Sequence, residues 1–63
     1  MDTNRIYRIV KDDPTTHLKP WCVEVLGRGF WQQVSPWYMY QSGANNFCKR
    51  NNIHPTKVIY LNK

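Results

Sequence analysis

The sequence predicts a small α+β domain. It is a two-layer fold in which a three- or four-stranded, mostly antiparallel sheet carries one short helix, in the order β-β-β-α-β. Three observations lead there. Trp21–Leu26, WCVEVL, alternates with a period of two, and Phe30–Val34 follows it across Gly27-Arg28-Gly29. Helical spacing with start and stop signals occurs in one place, ahead of Asn51-Asn52. Two further β-rich runs, RIYRIVK and KVIYL, lie toward the two ends of the chain. A sheet must bury one face, and a single covering helix is the natural second layer.

The elements follow in order. Residues 1–4 are expected to fray, and residues 1–63 to form one domain. Arg5–Lys11 mixes β-branched and aromatic residues with cations, as in a strand covered in part on both faces or a basic edge strand. Asp12–Pro20 reads as a long loop, because Asp12 and Asp13 favour local backbone bonds and Pro14 donates none. In Trp21–Leu26 the residues Trp21, Val23 and Val25 share a face, and Glu24 marks the wetter one. Gly27 and Gly29 are expected to supply the positive φ angles of a tight hairpin, and Phe30–Val34 returns as its partner.

Two helix starts fit the next segment. Ser35-Pro36 fits a cap and first-turn proline, with Trp37, Tyr40, Ala44, Phe47 and Cys48 as the apolar stripe. Alternatively Trp37–Tyr40 stays extended, Pro36 sits at a bulge, and Ser42 caps a shorter helix over Gly43–Asn51. The cost of glycine inside a helix, about 0.5–1 kcal/mol, favours the shorter one. The β-favouring rings Trp37, Tyr38 and Tyr40 do as well. Lys49 and Arg50 then complement the negative helix end, Asn51-Asn52 takes the left-handed turn, and Ile53 folds back on the last turn. Lys57–Leu61 closes the sheet.

Composition narrows function. The chain has 63 residues, nine Lys or Arg against four Asp or Glu, and a net charge of +5. A chain this short buries only about 60% of its unfolded surface, so its nine aromatic residues are its main core material. We expect two or three rings to remain exposed. The charge favours an acidic partner: DNA, RNA or an acidic protein surface. The shortage of acids excludes mimicry of DNA. No apolar run is long enough to cross a membrane. The first residues lack the apolar segment of a secretory signal, so Cys22 and Cys48 are read as reduced, buried thiols in a cytoplasmic protein.

No catalytic, metal or cofactor motif is present. His17, Cys22, Cys48 and His54 do not have zinc-ligand spacing. Cys48, beside Phe47 on the buried stripe, is placed for a raised thiol pKa, contrary to a nucleophile. Gly27-Arg28-Gly29 is too short to cradle phosphates. What remains is a binding module with cations and spare rings. Arg5, Arg8, Arg28, Lys49, Arg50 and Lys57 are its candidate phosphate or acid contacts, and Trp31, Trp37 and Tyr38 its candidate stacking rings. Trp, Tyr and Arg together also dominate protein-binding hot spots. KVIYL, if left at a sheet edge, offers strand addition and a homodimer.

In size and element order the whole chain resembles small phage-encoded proteins that bind a host factor. It resembles sheet-and-helix DNA-binding modules equally. Neither resemblance carries a diagnostic motif or transfers a residue. Nucleic-acid binding is the leading expectation. The alternative is an accessory, phage-type protein that modulates a host protein in the host cytoplasm.

Overall fold

The computed structural model describes residues 5–13, 15 and 18–61. The expected fraying of residues 1–4, and His17, lie outside these. The elements are β1 (Tyr7–Lys11), β2 (Trp21–Leu26), β3 (Trp31–Gln33), α1 (Gln41–Arg50) and β4 (Lys57–Tyr60). One four-stranded sheet has the order β3-β2-β1-β4. β2 is antiparallel to β1 and β3, and β4 is parallel to β1, so the sheet is mixed. The parallel pair follows from the helix. A parallel neighbour needs a crossover, and α1 with its flanking turns returns the chain to the end where β1 begins.

The register sets two faces. Ile9 lies opposite Val23 and Val58, whereas Arg8 lies opposite Glu24 and Lys57. Ile9, Trp21 and Val23 form the core with Ala44 and Cys48 of α1, and Tyr7, Tyr38, Phe47 and Ile53 pack around it. On the other face Val10 and Cys22 are also buried. The central strands are therefore covered on both sides, which is the first of the two β1 readings; β1 is not an edge strand.

β3 is shorter than expected because Ser35 interrupts its pairing. The Val23 N–H donates to Ser35 Oγ at 2.8 Å, and the Ser35 hydroxyl donates to the Pro36 carbonyl at 2.9 Å. Ser35 is thus a buried β-sheet link and caps no helix. Beyond it Tyr38 exchanges both backbone bonds with Trp21, at 3.0 and 2.6 Å, which holds this segment extended.

The helix starts at neither expected position. It begins at Gln41, with Tyr40 as an N-cap that makes no side-chain capping bond. Ser42 lies within the first turn and is exposed. The Trp21–Tyr38 bridge decides this start: the chain leaves the bridge and turns into the helix at once, with Gly43 N–H bonding the Tyr40 carbonyl at 3.1 Å.

The C-terminus follows the sequence reading. Asn52 has φ 60°. Its N–H donates to Lys49 O at 3.3 Å, and the Ile53 N–H donates to Cys48 O at 2.8 Å. That pair of bonds is a Schellman motif, and Ile53 supplies its apolar contact with the core.

Candidate functional site

The topology gathers cations at one end of the sheet. β1 begins there, β2 ends there, and the hairpin turn and the start of β4 lie there too. Leu26 N–H donates to Ile6 O at 2.8 Å, which sets Arg5 beside the turn that carries Arg28. Lys57 enters the sheet next to Arg8. α1 starts three residues past the Trp21–Tyr38 bridge at the far end and runs back. The chain that leaves it bonds Tyr7 through the Thr56 N–H at 2.9 Å, so Lys49 and Arg50 close the same end. Arg5, Arg28, Lys49, Arg50 and Lys57 are all exposed.

The described acids lie elsewhere. Asp12 and Asp13 follow β1 at its far end, where Lys11 and Lys19 accompany them in sequence. The Thr15 N–H and hydroxyl both donate to Asp13, at 2.9 and 2.7 Å, and hold its carboxyl below the ordinary range. Glu24 is taken by Arg8, whose Nη2 and Nε lie 2.7 and 2.9 Å from Oε1. The positive end therefore has no competing carboxylate among the described residues.

Two of the three ring candidates, Trp31 and Tyr38, serve the fold with Arg8. The Arg8 guanidinium carbon lies 4.0 Å from the centre of the Trp31 ring, so Glu24, Arg8 and Trp31 form one stack on the helix-free face. Trp31 and Trp37 are half-buried, and Tyr38 packs against the core. The exposed rings are Phe30, Tyr40 and Tyr60, at 52%, 68% and 59%. The number of exposed rings matches the expectation, but their identities do not. A ring's neighbours in space, unlike its spacing in sequence, decide its exposure. Phe30 is the one at the positive end. With Arg5, Arg28, Leu26 and Gln32 it lines a groove of about 380 Å³. Tyr60 stands at the other end, 5.9 Å from Trp21.

A larger groove of about 570 Å³ follows the outside of α1. Ser42, Asn45, Asn46, Lys49, Asn52 and His54 give it polar walls, and Ile53 and Pro55 add an apolar shoulder. Asn45 and Asn46 did not stand out in the sequence. The available signal was their place on the helical side opposite Ala44 and Cys48, in a helix without an acidic residue.

The thiols are packing groups. Burial pushes the Cys22 thiol up to about 12, helped by the charges of Glu24 and Asp12 and opposed by Arg8. Burial also raises Cys48. Both cysteines are free, and they face opposite sides of the sheet. Among the described residues no cluster of His, Cys, Asp and Glu suits a metal ion, and no helix is long and apolar enough to cross a membrane. Comparison with protein-family models, curated proteins and solved structures gives no match.

Proposed function

We propose that this chain is a small non-enzymatic module that binds nucleic acid through the positive end of its sheet. One observation carries the reading: Arg28, Lys49, Arg50 and Lys57 come to one end of the sheet from three separate parts of the chain, while every described carboxylate lies elsewhere or is paired. Phosphate backbones reward that arrangement through counterion release, without needing a pocket. The raised thiols favour packing over nucleophilic chemistry. Two unpaired buried cysteines also suit a reducing cytoplasm, the host's if the gene is a phage's.

A salt titration tests it. Affinity for a 30-mer DNA or RNA should fall linearly with log salt, with a slope of about −0.7 to −0.9 per phosphate contacted. Arg28→Ala and Lys57→Ala should each flatten that slope. Absence of binding even at low salt removes nucleic acid from consideration.

A second reading has its own support. Phe30 stands exposed beside Arg28 and Arg5, and an aromatic–arginine pair is what anchors many protein interfaces. An acidic host protein surface is the partner on that reading. Recovery of one stoichiometric protein from a nuclease-treated bacterial lysate, lost with Phe30→Ala, would support it over nucleic acid.

A further inference from the structure

We infer that α1 is a base-reading helix that enters the major groove of duplex DNA; this rests on the nucleic-acid reading above and makes it specific. The outer face of α1 carries Ser42, Asn45, Asn46, Lys49 and Arg50, all exposed. At about 100° per residue these side chains cover an arc of roughly 140°, and every member is a hydroxyl, an amide or a cation. The opposite arc holds the buried Ala44 and Cys48. No acid lies anywhere in the helix.

Several of these residues lack a structural reason to be there. Lys49 and Arg50 complement the helix end, and Asn51 caps it by donating from Nδ2 to Phe47 O at 2.9 Å. Asn45 and Asn46 do neither. They sit mid-helix, where asparagine is a poor helix former, and their amides have no partner among the described residues. Two exposed amides, consecutive in the chain on an acid-free helix, match the donor–acceptor edges of bases, above all the N6/N7 edge of adenine. Lys49 and Arg50 suit guanine O6/N7 or the flanking phosphates.

The surroundings support the same docking. Ten residues make a helix about 15 Å long, and a major groove about 12 Å wide admits one helix. Lys49 and Arg50 lie in the last turn of this helix, so its C-terminal end is the positive one and can meet a phosphate strand beside the groove. Single strands and A-form RNA offer no such accessible groove.

The test uses the full chain and four probes of equal length: duplex DNA, the same duplex with 7-deazapurines, single-stranded DNA and duplex RNA. The deaza duplex keeps its phosphates but loses the N7 acceptors of the major groove. The expected result is preference for duplex DNA, with the deaza duplex bound roughly fivefold or more weakly, as for loss of a bidentate base contact. Asn45→Ala/Asn46→Ala should lose selectivity for sequences recovered from a randomised duplex pool, with an unchanged salt slope. That variant should melt higher than the parent, because alanine is the better helix former. Lys49→Ala/Arg50→Ala should flatten the slope. Equal binding to all four probes, or indifference to deaza substitution and to the Asn45/Asn46 variant, overturns the helix reading and leaves general nucleic-acid binding standing. Failure to bind any probe at low salt overturns both.

Discussion

The Tyr38 ring lies directly on Gly43: a Cβ built there would meet Cδ1 and Cγ of Tyr38 at 2.7 Å and its Cβ at 2.9 Å. A residue that weakens the helix locally is thus a condition of the tertiary packing. It lets the strand-like segment bonded to Trp21 press against the first turn of α1. Gly43→Ala should therefore destabilise the fold, although alanine gains about 0.5–1 kcal/mol in helix propensity. Overpacking costs about 1–3 kcal/mol, and the atoms in the way belong to the base of the ring, not to a mobile tip. The expected net loss is about 1 kcal/mol, read from urea midpoints. In a Tyr38→Ala background, which removes the two 2.7 Å ring contacts and keeps the 2.9 Å one to Cβ, the same substitution should cost less. A stabilising Gly43→Ala in the parent would contradict the contact.

Arg8 carries a charge that the fold has already spent. It makes two bonds to Glu24, with side-chain exposures of 16% and 18%, and covers the Trp31 ring. Exposed ion pairs contribute under about 1 kcal/mol, but hydrogen bonds to half-buried charges contribute more. Glu24→Gln should destabilise by about 1–2 kcal/mol, and Arg8→Met should shift Trp31 fluorescence by removing the cation from its face. Arg8→Met should leave the salt slope of nucleic-acid binding near the parent value, in contrast to Arg28→Ala. A slope change as large as that of Arg28→Ala would place Arg8 in the contact surface.

The Cys22 thiol sets an alkaline limit on stability. Its folded pKa is held at about 12, and an unfolded thiol titrates near about 8.5. Below the unfolded value both states keep the proton, and the thiol adds no pH dependence. Above it the unfolded chain releases its proton while the folded one retains it, so stability falls as pH rises from there toward 12. Cys22→Ala should remove that part of the slope, measured as the difference between the two proteins' urea midpoints from pH 8 to 11. The native thiols should also react with iodoacetamide far more slowly than the unfolded ones. Fast native alkylation at pH 8 would show that Cys22 is accessible.

How much of this was legible in the sequence depends on the range of the interactions. β2, the place of the hairpin turn and the Schellman end of α1 were readable, because alternation, glycine placement and the Asn51-Asn52-Ile53 stop act within a few residues; of the two turn glycines expected at positive φ, only Gly29 takes it, at 87°. The helix start was misread because it is set by a backbone bridge to Trp21, seventeen positions before Tyr38. Gly43 looked like a defect because its reason, Tyr38, is a neighbour only after the chain turns. The candidate cations Arg5, Arg28, Lys49, Arg50 and Lys57 did come to one end, through the parallel β1–β4 pairing. The stacking rings were assigned by residue type, which cannot tell that Arg8 covers Trp31 or that Tyr38 faces the core.

β4 is an outer strand, so the proposed homodimer by strand addition has a definite place to form. The strand resists it. It has four residues, opens on exposed Lys57 and follows Pro55, features that keep natural sheet edges unpaired. Two such strands would share an edge of only about 13 Å. A stable interface needs about 1,000 Å² buried, roughly a tenth of each copy's 4729 Å² surface. Exposed Val58 and Tyr60 point to the faces of the sheet and add little to an edge contact. Sedimentation at high protein concentration should therefore give one species of 7.6 kDa. A dimer that Val58→Pro dissolves, with the monomer still folded, would show that the edge pairs after all.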